Sequence, residues 1–227
     1  MKPEFQLFGG DHWAALVAVA GSSWVAYRLA SGSQSELWRR LGGTLLGALA
    51  AALWLFRLVD GFQADLDLPL ALCDLAFLLS VTCFFWPRTW ALVMVTYWGL
   101  AGTLQALITP DLLLGFPSKE YFLFFVGHSV IVVAVCFLLG KSRQISLSGW
   151  RRAGEAFGGL LLYTAVVGGL DALFGWNYGY LRTKPEGSSV LDFMGPWPWY
   201  ILGALAFAAF LFAIVAGLLG LMPKPKE

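Results

Sequence analysis

The sequence predicts an all-α polytopic membrane protein, a bundle of about seven transmembrane helices. Three observations lead to this fold class. Apolar residues fill 59% of the 227 positions, whereas charged residues fill only 13%, about half the share found in a soluble domain. The mean hydropathy is +0.71. Aromatic residues make up 16% of the chain, which is typical of a protein with two interfacial aromatic belts.

Seven apolar segments carry this prediction, each close to the roughly 20 residues that a spanning helix needs. They cover residues 12–30, 41–58, 69–86, 89–108, 121–140, 156–174 and 198–221. Within hydrocarbon only helices and closed barrels satisfy their backbone groups, so continuous apolar runs of this length indicate helices. The first run is longer than the apolar core of a signal peptide and is expected to remain as the first span. Residues 1–227 are therefore expected to form a single integral membrane domain.

Turn-forming residues separate the segments. Pro110 biases Thr109 away from the helical region and so ends the fourth segment. The other breaks are Ser31-Gly32-Ser33, Asp60-Gly61, Pro69, Trp86-Pro87-Arg88 and Gly195-Pro196-Trp197-Pro198. Each contains the Gly, Pro or Ser residues that punctuate helices.

The distribution of basic residues predicts the orientation. Ten lysines and arginines fall on one side of the seven spans, namely Arg28, Arg39, Arg40, Arg88, Lys141, Arg143, Arg151, Arg152, Lys224 and Lys226. Five fall on the other side, namely Lys2, Arg57, Lys119, Arg182 and Lys184. Because cytoplasmic loops are enriched in Lys and Arg, the N-terminus is expected outside and the C-terminus in the cytoplasm.

Composition also excludes several functional classes. The mean hydropathy excludes a disordered chain and an ordinary soluble enzyme. The formal net charge of +1 provides no field that would attract polyanions, so no nucleic-acid partner is expected. The expected partners are membrane lipids.

Unusual polar residues gather toward the predicted outer ends of the spans. Asp74, Gln105 and His128 lie within the third, fourth and fifth segments, at similar depths. The other polar residues of this layer are His12, Arg57, Asp60, Thr103, Asp171, Asn177 and Tyr178. Polar groups inside a membrane are costly and mark functional sites. The layer indicates either an outward-facing polar cavity or a set of snorkelling side chains, and three of these side chains are too short to snorkel.

Cys73 and His128 form the most reactive combination in this layer. A thiol becomes a good nucleophile when a base or a positive field favours the thiolate, and histidine is the usual base near neutral pH. Asp74 could orient His12 or His128, or could pair with Arg57. The alternative is that Cys73 is a small buried hydrophobic residue.

A metal or haem site is a further alternative. Cys73, His12, His128 and an acidic residue could bind zinc, and the two histidines could ligate haem. The sequence has no CxxC, HxxxH or HExxH spacing. No metal and no cofactor are therefore expected.

Two further segments have open interpretations. Gly99-Leu100-Ala101-Gly102-Thr103 in the fourth segment suits close helix packing or a substrate groove. The long loop from Gly175 to Pro198 contains Arg182 and Lys184-Pro185, which could form a lid whose cations meet a lipid phosphate. The same loop could equally be solvated.

Several blocks of the sequence resemble the YwaF-like integral membrane proteins of bacteria. They are Leu68–Leu75, Tyr97–Asp111, His128, Asn177-Tyr178 with Lys184-Pro185, and Gly195–Tyr200. This family is similar to eukaryotic multi-pass phospholipid acyltransferases that use a Cys and a His. It resembles more remotely the androgen-induced membrane hydrolases of fatty acid esters.

The resemblance implies that Cys73 is the acylated cysteine and that His128 is its partner. It also implies a location in a bacterial plasma membrane. The family often has a His two residues before the Cys, where this chain has Ala71, which implies a reduced or rearranged site.

The sequence thus predicts a lipid acyltransferase or acyl-ester hydrolase with a cysteine thioester intermediate. Its substrate would be a phospholipid or lysolipid reached from the outer leaflet. The residues expected to bind substrate or support catalysis are His12, Arg57, Asp74, Gln105, Asp111, Asn177, Tyr178 and Arg182. The alternatives are a non-catalytic protein that binds or transports a small lipid or ion in the same cavity, and a structural or assembly factor.

Overall fold

A computed structural model describes residues 3–141, 147, 149–185, 187 and 189–221. Their fold is all-α, as predicted. Seven main helices follow one another: α1 (Gly10–Ala30), α2 (Ser35–Val59), α3 (Leu72–Phe85), α4 (Thr89–Ile108), α5 (Lys119–Lys141), α6 (Trp150–Phe174) and α7 (Trp199–Gly220). Two short 3₁₀ turns, Tyr178–Tyr180 and Val190–Met194, lie between α6 and α7.

Five of these helices, α2 and α4 to α7, are long and apolar enough to cross a membrane. The chain is thus a multi-pass membrane protein. Helix α3 is apolar but has only 14 residues, and the 21 residues of α1 do not reach the same apolar character. The polar side chains of α1 include Asp11, His12, Ser22 and Ser23.

Helix α4 forms the centre of the bundle. It is the most buried of the five long helices and packs against α3, α5 and α6. Residues Trp98–Thr103 of α4 are wound as a π-helix. This segment also contacts α7. π-helical turns are rare overall, and many of them occur at functional sites. This stretch is therefore a candidate functional element in the middle of the bundle.

The connections bring one end of every helix together, and we call this end the upper end. It contains the start of α1, α3, α5 and α7 and the end of α2, α4 and α6. Contacts across it include His12 with Leu107, and Tyr163 with Leu70. The polar layer identified in the sequence lies here.

Helices α1 and α5 form the most extensive helix pair in the bundle. Their close approach depends on Gly140, where an added Cβ would lie 2.8 Å from the Ala30 Cβ atom and 2.8 Å from the Tyr27 carbonyl oxygen. Both atoms belong to a packed helix and cannot simply rotate away. The α1–α5 interface therefore requires a glycine at this position.

We expect Gly140→Ala to destabilise the protein by about 1–3 kcal/mol, because it overpacks this interface. The matched control is Gly127→Ala on the same helix, where an added Cβ meets no atom within 4 Å. The control should leave the thermal midpoint unchanged or raise it, since alanine favours helix. Thermal unfolding in detergent measures both variants, and equal midpoints would contradict this account of the interface.

Candidate functional site

Cys73 lies in the first turn of α3, as the second residue of that helix. The residue before the helix, Ala71, is extended and provides no side-chain cap. The first backbone bond of the helix runs from the Leu75 amide to the Ala71 carbonyl, at 3.1 Å. As at any helix start, the N–H groups of Leu72, Cys73 and Asp74 have no acceptor inside the helix, and that of Leu72 interacts with the Tyr163 hydroxyl. The N–H groups of Cys73 and Asp74 are therefore the donors beside the thiol, at the positive end of a helix dipole.

The thiol of Cys73 contacts the central helix. The Thr103 hydroxyl donates to the Cys73 Sγ atom at 3.9 Å, and Thr103 is almost fully buried at the end of the π-helical segment. Cys73 itself is half-buried. The sulfur is thus held inside the bundle and does not face lipid.

His128 lies in the third turn of α5 and has a defined ring orientation. Its Nδ1 atom is 2.8 Å from the Phe124 carbonyl oxygen, and its ring stacks on that of Phe124 at 4.1 Å between centroids. Since a carbonyl only accepts, Nδ1 carries the proton, and the neutral ring presents Nε2 as an acceptor. No described residue donates a hydrogen bond to Nε2.

The packing of α4 relates Cys73 to His128. Ile131 and Val135 of α5 pack against Gly99 of α4, and His128 lies one turn before Ile131 on the same side of α5. Thr103 lies one turn after Gly99, and α4 and α5 are antiparallel. Counting turns along the two helices thus gives His128 about the same depth as Thr103, the residue that contacts Cys73. No direct hydrogen bond joins His128 to Cys73 in the structure.

Asp74 pairs with Arg57, one of the alternatives that the sequence left open. The Arg57 Nη2 atom lies 3.6 Å from Asp74 Oδ1, and Arg57 Nη1 donates to the Asp67 carbonyl oxygen at 2.9 Å. Both side chains line a shallow groove between α2 and α3 with Trp54 and Phe77. This ion pair therefore joins the end of α2 to the start of α3, where Cys73 lies.

The second histidine, His12, has both ring nitrogens engaged. Nδ1 accepts from the Phe8 amide at 3.0 Å, and Nε2 lies 2.8 Å from the Leu107 carbonyl oxygen. The residue is fully buried. It also lines a cavity of about 190 Å³ beneath the N-terminal segment, beside Phe5 and Asp11. This geometry supports a structural role, in which His12 anchors the start of α1 to the end of α4.

Asn177 and Arg182 belong to the loop that follows α6. The Asn177 Nδ2 atom donates to the Thr183 carbonyl and hydroxyl oxygens at 3.0 and 2.7 Å. Its Oδ1 atom accepts from the amides of Arg182 and Thr183, both at 3.0 Å. The Arg182 Nη1 atom donates to the Trp176 carbonyl at 3.4 Å. The side-chain amide of Asn177 therefore links the start of this loop to Arg182 and Thr183.

Tyr178 joins this loop to the segment before α3. Its hydroxyl donates to the Ala64 carbonyl oxygen at 2.8 Å and accepts from the Leu68 amide at 3.0 Å. Its own amide donates to Asp171 Oδ1 at 3.1 Å. The chain segment that leads into Cys73 is thereby fixed from two sides.

Asp111 and Gln105 lie at the end of α4 and just beyond it. The Tyr180 hydroxyl donates to Asp111 Oδ2 at 2.8 Å, while the Gln105 amide nitrogen donates to Thr109 Oγ1 at 2.6 Å. Burial, and then the hydrogen bond to Asp111, raise the pKa of Tyr180 above its ordinary value. The phenol therefore stays protonated at neutral pH and remains a donor to Asp111.

The upper end of the bundle thus brings all ten predicted residues into one region, but it gives them different surroundings. No three His, Cys, Asp or Glu side chains among the described residues are close enough to hold a metal ion. Asn177, Tyr178 and Gln105 are already bonded within the protein.

A model of the TMEM164 family matches residues 7–216. The chain belongs to the TMEM164 family. The match agrees with the multiple apolar helices of the bundle, and it leaves a YwaF-like relationship and an acyltransferase activity as hypotheses. No curated protein and no solved structure matches the chain.

Two residues of this TMEM164-family chain are absent from the predicted site although they hold the segment that leads into Cys73. Tyr163 of α6 donates to the Leu70 carbonyl oxygen at 3.0 Å. Gly179 adopts a φ of 62°, and an added Cβ there would lie 2.6 Å from the Tyr163 hydroxyl oxygen. The loop after α6 therefore crosses directly over Tyr163, which only the three-dimensional packing reveals. Thr103 was visible in the sequence as a polar residue, but its contact with the thiol was not.

Proposed function

We propose that the chain is a membrane-embedded lipid acyltransferase or acyl-ester hydrolase that works through a thioester on Cys73. The observation that carries the proposal is the position of Cys73 in the first turn of α3. A thiolate is favoured at a helix N-terminus. The free backbone N–H groups of the same turn are suited to stabilise the oxyanion of a tetrahedral intermediate. The family match supports a membrane protein and does not specify the reaction.

In the first half of the proposed reaction, the Cys73 sulfur attacks the carbonyl carbon of a phospholipid ester. His128 Nε2 takes the thiol proton as a carbon–sulfur bond forms. The ester carbon–oxygen bond then breaks, and the leaving lysolipid alkoxide takes the proton from His128. The protein is left with an acyl group on Cys73.

In the second half, a lysophospholipid hydroxyl or a water molecule attacks the thioester. His128 takes the proton of the attacking hydroxyl, the carbon–sulfur bond breaks, and the thiolate recovers a proton from His128. A lysophospholipid acceptor makes the protein a transferase, whereas water makes it a hydrolase.

His128 needs a path to the sulfur in this scheme, because it is hydrogen-bonded to Phe124 and not to Cys73. A water molecule between Nε2 and Sγ, or a rotation of the imidazole away from Phe124, would provide one. Catalytic hydrogen bonds often tighten only when substrate binds.

We also propose an outer-leaflet site, since the positive-inside count places the upper end of the bundle on the non-cytoplasmic face. Asn177 and Tyr178 are bonded within the protein, so the backbone N–H groups of Cys73 and Asp74 are the better candidate oxyanion donors. Arg57 and Arg182 remain candidates for contact with a lipid phosphate.

The test is to incubate the purified full-length protein with a phospholipid carrying a labelled acyl chain. We expect a protein adduct that hydroxylamine removes and that mass spectrometry assigns to the peptide containing Cys73. An adduct on Cys83 or Cys136 would contradict the assignment of the nucleophile. Lipid binding without any adduct would instead favour the non-catalytic alternative.

A further inference from the structure

Several hydroxyl groups within the helices of this protein follow a common pattern that Thr103 does not share. The hydroxyls of Ser80, Thr82 and Thr164 each donate to the carbonyl oxygen four residues earlier in their own helix. The Thr103 hydroxyl instead donates across to α3, to the Cys73 Sγ atom at 3.9 Å. Thr103 is only 1% exposed, so the bond is shielded from solvent.

The backbone of α4 is also unusual at Thr103. This residue is the last of the π-helical segment Trp98–Thr103, and π-helical turns are rare and frequent at functional sites. The same segment packs against α3. The unusual winding and the unusual hydrogen bond therefore occur at the same residue.

We propose that Thr103 is a positioning residue for Cys73, whose hydroxyl fixes the orientation of the thiol and stabilises its thiolate. The inference rests on the proposed function, because stabilising the thiolate serves a purpose only if Cys73 reacts. A hydrogen bond to a charged acceptor contributes more than one to a neutral acceptor. Thr103 acts through the sulfur and needs no contact with substrate.

The other titratable groups near the thiol are Asp74 on α3, Tyr163 on α6 and Tyr180 in the loop after α6, and His128 on α5 is its proposed base. Arg57 is paired with Asp74. Substitutions at Thr103 leave all of these groups in place. A change in thiol reactivity in such a variant can then be assigned to the lost hydroxyl.

The experiment measures the rate at which a small alkylating reagent modifies Cys73, from pH 6 to pH 10, by quantifying the Cys73 peptide in the full-length protein. For Thr103→Val we expect the rising limb of the rate profile to move to higher pH by about one unit. At neutral pH the rate should fall by about tenfold. Thr103→Ser keeps the hydroxyl and should retain the wild-type profile.

Thr96 provides the matched control. It lies two turns earlier in α4, is fully buried, and its hydroxyl has no hydrogen-bond partner among the residues that the structure describes. Thr96→Val should leave the profile of Cys73 unchanged. If Thr103→Val does not fold, Thr103→Ala removes the same hydroxyl with less volume on the β-carbon.

A Thr103→Val or Thr103→Ala profile that matches those of wild type and Thr96→Val would overturn the inference. The measurement needs no turnover, so it separates this inference from the proposed function. A shifted profile in a protein that forms no acyl adduct would retain Thr103 as the positioning residue of a reactive thiol and would reject the acyl transfer.

Discussion

Cys73→Ser should eliminate the hydroxylamine-sensitive acyl adduct and reduce acyl transfer by at least about a thousandfold, since losing the nucleophile of a covalent mechanism costs several orders of magnitude. A serine hydroxyl at this position remains protonated at neutral pH and is a far weaker nucleophile than a thiolate. The effect should fall on the rate of acylation, with little change in the thermal midpoint, because serine is nearly the same size.

The matched control for this variant is Cys136→Ser on α5. Cys136 is also half-buried, and it packs in a different part of the core, near Phe125 and Val132. It should keep the adduct and the transfer rate. Adduct formation by Cys73→Ser at the wild-type level, measured with the same labelled lipid, would show that the thioester assignment is wrong.

His128→Asn should lower the acylation rate by about 10²- to 10⁴-fold, the usual contribution of a general base. The asparagine amide can still donate to the Phe124 carbonyl, so the variant keeps a polar partner for that group and loses only the titratable nitrogen. A single-turnover assay with labelled phospholipid measures the rate directly.

The pH profile provides an additional test of His128. In the wild type, acylation should slow as the pH falls below neutrality, because protonated imidazole cannot accept the thiol proton. The inflection caused by imidazole protonation should disappear in His128→Asn, whose slow rate should rise steadily with pH as thiol ionisation alone requires. A variant that keeps the imidazole inflection, or that acylates within threefold of wild type, would exclude His128 as the base.

The sequence was sufficient for the fold class because apolar runs of about 20 residues have few alternatives in a membrane. It was less accurate for individual helices. The predicted segment 41–58 omits the charged first turns of α2, which begins at Ser35. Residues 156–174 likewise omit the basic start of α6 at Trp150. Charged residues at helix ends carry no apolar signal, so the pattern misses them.

The candidate site was predictable only as a layer of polar residues at one end of the bundle. Depth along a helix follows from residue counting, but side-chain partners depend on helix rotation and packing. For that reason the sequence suggested Asn177 and Tyr178 as groups facing substrate, whereas the structure has both bonded within the protein. The contact of Thr103 with Cys73 lies at the end of a π-helical segment, and no residue pattern in the sequence predicts that winding.

That π-helical segment makes α4 unusually tolerant of one kind of mutation. A π turn holds about one residue more than an α turn, so removing one residue between Trp98 and Gly102 would let α4 relax to ordinary winding. The side chains beyond the deletion would stay on their present faces, and the Leu107 carbonyl would stay beside His12. The same deletion in an ordinary α-helix such as α5 would rotate everything beyond it by about 100°. A single-codon deletion at this point of α4 should therefore be absorbed locally, whereas one in α5 should disrupt the packing of the bundle.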